Sequence, residues 1–124
     1  MGVDQVLFTM GCNFGDLNND GYPDFYATTG TPDFRALVPN RMFLNGGKGQ
    51  AFLDVTRAGG FGHLQKGHGV AFGDIDADGD QDIYHVLGGS YDGDNFMNAL
   101  FVNPGPAQHW VKRRLVGRRS NRSA

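Results

Sequence analysis

The sequence predicts an all-β protein built from two copies of one strand-rich unit, each the size of a partial propeller blade, and three observations carry that prediction. The first is a repeat. Phe14-Gly15-Asp16-Leu17-Asn18-Asn19-Asp20-Gly21-Tyr22-Pro23-Asp24-Phe25-Tyr26 aligns with Phe72-Gly73-Asp74-Ile75-Asp76-Ala77-Asp78-Gly79-Asp80-Gln81-Asp82-Ile83-Tyr84 at an offset of 58 residues. The register holds outside the motif, with Gly11 on Gly69, Asn40 on Asn98, Phe43 on Phe101 and Asn45 on Asn103. A constant register over that span marks one structural unit copied. The second is composition. Twenty glycines and five prolines suit short strands joined by tight turns. All 13 acidic residues are Asp, which favours turns and metal loops where Glu favours helix. The third is alternation of apolar and polar residues over short stretches.

Taken in order, the first unit offers strands at Val6–Met10, Asp24–Thr28, Arg41–Leu44 and Ala51–Thr56. The second offers Gly67–Phe72, Asp82–Leu87, Ala99–Val102 and, at the matching fourth place, His109–Leu115. The third strands run into Asn45-Gly46-Gly47 and Asn103-Pro104-Gly105, both turn signals. About four short antiparallel strands per unit at this period read as blades of a β-propeller. The boundaries are 1–58 for the first repeat, 59–107 for the second and 108–124 for a basic tail. Propellers close with about four to eight blades. Two blades leave open edges and an unfinished core, so either the rest of the ring is missing or several chains assemble, and a piece of a longer propeller is the expectation.

Phe14 and Phe72 read as inward residues packing one sheet on the next, and Tyr26 and Tyr84 share that reading. Cys12, aligned with Val70, reads as a small buried apolar residue. As the one cysteine it forms no internal disulfide.

Between the first two strands of each unit lies a loop with oxygen-bearing side chains at alternate positions: Asp16, Asn18, Asp20, Tyr22, Asp24 and Asp74, Asp76, Asp78, Asp80, Asp82. Such a loop can curl round a hard cation, and Ca²⁺ takes six to eight oxygens at about 2.3–2.6 Å. Positions one, three, five and nine would give side-chain oxygens. Position seven would give its backbone carbonyl, which lets Tyr22 and Asp80 differ. Gly21 and Gly79 permit the sharp turn. An EF-hand is excluded, because its twelfth position must be Glu and here it is Ala27 or His85. Two Ca²⁺ sites are the expectation.

The remaining chemistry is sparse. His63, His68, His85 and His109 are scattered without transition-metal spacing. His68, next to the second loop, reads as a polar residue on an edge strand. No Gly-x-Ser-x-Gly elbow or phosphate-cradling loop with Lys is present, so no catalytic residue is assigned and an enzyme is not expected. No run of 18 apolar residues occurs, so no membrane span is expected, and the N-terminus lacks the pattern of a signal peptide. Net charge is −2 but uneven. Residues 1–111 hold all the Asp and five cations, whereas 112–124 hold Lys112, Arg113, Arg114, Arg118, Arg119 and Arg122. That tail reads first as the solvated strand of a further domain, and alternatively as a polyanion-binding module. No nucleic-acid partner is indicated.

The motif Phe-Gly-Asp-(Leu/Ile)-(Asn/Asp)-x-Asp-Gly-x-x-Asp resembles the FG-GAP (VCBS) repeat of integrin-α-like β-propellers, over residues 6–105. Phe43-Leu44-Asn45-Gly46-Gly47 and Phe52-Leu53-Asp54-Val55-Thr56 resemble blade endings of related proteins, and His109-Trp110-Val111 through Arg122 is similar to the start of an ASPIC/UnbV domain. The resemblance implies Ca²⁺ held within a blade, an extracytoplasmic, secreted or cell-surface location, and a non-catalytic adhesion or scaffold role with a protein or glycan ligand. It also implies an alternative, in which the blades are an accessory to a secreted hydrolase.

Overall fold

The computed structural model describes residues 3, 6–30, 33, 35, 37–89, 91–105 and 111. Among the described residues seven strands follow in order: β1 (Thr9–Gly15), β2 (Asp24–Thr29), β3 (Arg41–Asn45), β4 (Phe52–Asp54), β5 (Gly67–Gly73), β6 (Asp82–Leu87) and β7 (Ala99–Phe101). There is no helix among the described residues. The strands form two antiparallel meanders, β1-β2-β3-β4 and β5-β6-β7. They are two partial propeller blades, one per repeat. The place expected for the eighth strand, His109–Leu115, lies outside the described residues apart from Val111, which is not in a strand.

The first strand departs from expectation. It runs through Thr9–Gly15 rather than Val6–Met10, because Gly11–Gly15 pair with the chain returning from the Asp loop, down to Gly15 opposite Asp24. β5 has the same extent in the second repeat. Each pair also carries an irregularity at its start, between Thr9 and Gly11 and between Gly67 and Val70, so even the bulge is copied.

The two sheets pack face to face, with β1 and β2 against β5. Register assigns the sides. Asn13, Tyr26 and Met42 lie opposite one another on the inner face of the first sheet. Phe72, Ile83 and Phe101 do so on the inner face of the second. Tyr26, Met42, Phe61 and Ile83 form the buried core between them. Full burial of side chains such as Met42 and Ile83 contributes about 1.5–3 kcal/mol each. Tyr26 meets Phe61, His85 and Phe101 edge-on, at centroid separations of 6.0, 5.1 and 6.2 Å. Its hydroxyl donates to the Phe61 carbonyl at 2.8 Å, which satisfies the one polar atom the ring carries into the core.

Close approach of the sheets needs glycine at two places. A Cβ on Gly11 would fall 1.8 Å from the His68 carbonyl oxygen, and one on Gly15 would fall 2.3 Å from the Phe72 ring.

Two packing expectations require correction. Phe72 is half-buried over Gly15, but Phe14, its equivalent, faces away from the neighbouring sheet and is 60% exposed. Tyr26 is fully buried, whereas Tyr84 is 40% exposed. The reason is geometric. Equivalent residues do point the same way, but the first sheet has a neighbour on one face and the second sheet on the other. Cys12 alternates with Asn13 onto the outer face with Phe14, and is exposed rather than buried. His68 lies on β5, a strand at the edge of its sheet as its reading had it, and is half-buried there.

Candidate metal centre

Each Asp loop is the connection of a β-hairpin, 16–23 between β1 and β2 and 74–81 between β5 and β6. The ninth-position aspartates close them identically. Asp24 is fully buried and accepts the Leu17 amide at 2.8 Å and the Asn45 amide at 2.7 Å. Asp82, also fully buried, accepts the amides of Ile75 at 2.8 Å and Asn103 at 2.9 Å. One carboxylate thus ties the loop to the end of the third strand. Desolvation holds the Asp24 pKa above the usual carboxylate range, with the charges of Asp20 and Asp16 adding to it and the two amide bonds opposing it.

The backbone within the loops is copied as well. Gly21 and Gly79 have φ of 88° and 98°, as a left-handed turn requires. Asn19 and Ala77, also equivalent, have φ of 55° and 65°. A left-handed alanine is costly on its own, by roughly 1–2 kcal/mol.

In the second loop Asp74, Asp76 and Asp78 converge, each offering a carboxylate oxygen within 4.8 Å of the others, and all three are exposed. No ion pair seen among the described residues brings a cationic side chain to this group. Asp76 has its pKa raised, chiefly by desolvation, with the Asp78 and Asp82 charges contributing. Uncompensated hard oxygens at this spacing suit a divalent ion such as Ca²⁺. Asp80 and Asp82 do not join the group: Asp82 closes the hairpin, and Asp80 turns away to the first loop.

The first loop is folded on its own backbone. Asp16 accepts the amides of Asp20 at 3.0 Å and Gly21 at 2.8 Å, and Asp20 accepts the Tyr22 amide at 2.9 Å. Asn18 donates its side-chain amide to Asp20 at 3.0 Å. Tyr22 lays its ring over Gly47, and its side chain takes no part in the oxygen set.

Three hydrogen bonds wire the first loop to the second blade. Asn19 donates to the Asp80 carboxylate. The Asp16 amide donates to Gln81 Oε1 at 2.8 Å. Asn103 Nδ2 donates to the Leu17 carbonyl at 2.7 Å. Sequence reasoning missed Asn19, Gln81 and Asn103 as site residues. Asn103 carried a signal, its repetition of Asn45. Gln81 faces Pro23 in the alignment and carried none.

The sequence matches the FG-GAP-like repeat family over residues 16–85, more than half of the chain. The chain belongs to the FG-GAP-like repeat family. Such repeats are typically extracellular, non-catalytic modules of propellers, and a repeat of this kind implies packing against other blades. The matched span covers both Asp loops of this FG-GAP-like pair and the whole of β2 through β5. No curated protein and no solved structure matches the chain. No helix among the described residues is long and apolar enough to cross a membrane.

Proposed function

We propose that this FG-GAP-like pair is a calcium-binding propeller segment with a non-catalytic role in adhesion, protein interaction or scaffolding. The observation that carries the reading is the convergence of Asp74, Asp76 and Asp78 on one point, with no cationic side chain paired to them among the described residues, inside a loop whose conformation the chain builds twice. In this reading Asp16, Asn18, Asp20 and Asp24 hold one ion and Asp74, Asp76 and Asp78 the other, with Asp82 lending it a remaining lone pair of a carboxylate that already accepts two backbone amides, and with the carbonyls of Tyr22 and Asp80 completing each set.

Calcium here is structural. It relieves the mutual repulsion of carboxylates that hairpin closure forces together, so its binding free energy adds to folding. Extracellular modules bind Ca²⁺ at about 10⁻⁴–10⁻³ M, and sites of that strength fill outside the cytoplasm, which fits a secreted or surface location. The divisions 1–58, 59–107 and 108–124 belong to the same reading, the last as the start of an ASPIC/UnbV-like domain. The ligand in this reading is a protein or glycan.

The test is thermal unfolding followed by circular dichroism in millimolar Ca²⁺ and in EDTA. A melt raised by several degrees in Ca²⁺ is expected. An identical cooperative melt in both conditions overturns the metal assignment.

A further inference from the structure

We infer that Asn45 is a self-modification site, converted to an aspartyl or isoaspartyl residue by attack of the Gly46 main-chain nitrogen on its side-chain amide, and that the change loosens the first Asp loop. Asn45 is the one asparagine of the sequence that a glycine follows. With no Cβ to shield it, a glycine nitrogen reaches the side-chain carbonyl carbon of the preceding asparagine and closes a five-membered imide. The fold keeps glycine in that place. A Cβ on Gly46 would lie 2.9 Å from the Ala51 carbonyl oxygen and 2.9 Å from Gln50 Cβ.

The turn supplies the rest of the chemistry. Asn45 ends β3 half-buried and Gly46 is exposed beside it, so water and hydroxide reach the peptide. Asn45 Oδ1 accepts the Gly47 amide at 2.9 Å. That donor polarises the side-chain carbonyl and stands where negative charge develops when the Gly46 nitrogen adds to Cγ. Gly47 holds the position with a φ of 67°, which glycine adopts without strain. Hydroxide takes the Gly46 N–H proton and the N–Cγ bond forms. The Cγ–Nδ2 bond then breaks as Nδ2 takes a proton from water and leaves as ammonia. Water opens the imide at the side-chain carbonyl to give the aspartyl form, or at the main-chain carbonyl to give the isoaspartyl form. The net change is water in and ammonia out.

The second repeat builds the same turn without the reaction. Asn103 donates its main-chain amide to Asp82 at 2.9 Å, and its Oδ1 accepts the Gly105 amide at 3.1 Å. Pro104 follows it, and a proline nitrogen has no hydrogen to lose. The modification therefore marks the first blade alone, and its effect falls on the first Asp loop. Asn45 Nδ2 donates to the Pro23 carbonyl at 3.1 Å, and the Asn45 main-chain amide donates to the buried Asp24 carboxylate at 2.7 Å. Exchange of the amide for a carboxylate turns that donor into an acceptor facing a carbonyl, and brings a second negative charge toward Asp24. The isoaspartyl form also lengthens the main chain just before Gly47, over which the Tyr22 ring lies. The inference rests on the turn after β3 and is independent of the metal reading.

The test is incubation of the folded chain at mildly alkaline pH beside the same chain unfolded in urea. Peptide mass spectrometry across residue 45 follows the loss of the amide, and methylation by a protein isoaspartyl methyltransferase detects the isoaspartyl form. Conversion at Asn45 is expected to be no slower in the folded chain than in urea and to quicken as pH rises, with Asn103 intact. Asn45→Gln, whose attack needs a six-membered ring, stays unmodified over the same period. Asn45→Asp, which copies the aspartyl product, melts several degrees below the native chain. An Asn45 that converts in urea but stays intact in the folded chain, an Asn45→Gln variant that gains acid as fast as the native chain, or an Asn45→Asp melt equal to the native one overturns the proposal.

Discussion

Asn19 in the first Asp loop donates its side-chain amide to the carboxylate of Asp80 in the second, so each blade's loop holds a residue of the other's. Asp80 is nearly fully buried, which makes this bond the chief neutral partner of a desolvated charge. Removing one member leaves the other unsatisfied, at a cost of about 1–3 kcal/mol. Asn19→Ala is therefore expected to lower the urea midpoint with an unchanged slope, and Asp80→Ala added to it is expected to cost much less than it does alone. Strict additivity in that double-mutant cycle would show the contact to be energetically idle.

The two loops are expected to differ in affinity. The second presents five aspartates and the first three, and affinity in oxygen-ligand sites rises with ligand charge. Calorimetric titration with Ca²⁺ should resolve a tighter and a weaker site, roughly tenfold apart. Asp78→Asn should abolish or weaken the tighter one, and Asp20→Asn the weaker. The opposite assignment would mean that charge count does not order the sites.

Stability should fall in mild acid because of His85. Its ring is fully buried beside Tyr26, and its Nε2 has no hydrogen-bond partner. Desolvation, with smaller electrostatic contributions from the neighbouring His63 and His68, lowers its pKa to about 4 from an ordinary 6.5. Between those values the unfolded chain takes up a proton that the folded chain refuses. Stability is thus complete above about pH 6.5 and is lost as pH falls toward 4, by about 2–3 kcal/mol in all. His85→Phe should flatten the pH 5–6.5 part of that profile, above the range in which most carboxylates titrate. A variant profile parallel to the native one would place the acid sensitivity elsewhere.

Equivalent glycines should respond oppositely to the same change. Gly11→Ala drives a methyl into the His68 backbone and should destabilise by about 1–3 kcal/mol or prevent the sheets from closing. Gly69→Ala meets only Val86 at ordinary contact distance and should leave the melt of the single chain within about 0.5 kcal/mol of native. Comparable losses at both positions, measured by thermal melts at low concentration, would contradict the packing described for Gly11.

The repeat made the blades legible, since strand alternation, the Asp loops and the Asn-Gly turns each recur at one offset. β6 is found at Asp82–Leu87 as read. The start of β1 was misplaced because its Gly-Cys-Asn-Phe-Gly stretch has weak strand propensity, and pairing with β2 decides its extent. Burial was legible only as direction. Phe14 and Tyr84 point where their equivalents point, but whether a side chain is covered depends on which face has a neighbour, and a repeat alone does not reveal that. The alternate aspartates were legible as an oxygen set. Their division of labour was not, because Asp82 is drawn off by two backbone amides and Asp80 by Asn19 from 61 residues away.

Each meander completes its hydrogen-bond ladder within its own stretch of chain, Thr9–Asp54 for the first and Gly67–Phe101 for the second. A ribosome therefore releases every strand of the first sheet before β5 has left the exit tunnel. The nascent first blade can form alone, with Tyr26 as a waiting apolar surface, and the second condenses on it as it emerges. The order of synthesis then matches the order of assembly, and the long-range contacts between blades close last over a short, already anchored loop.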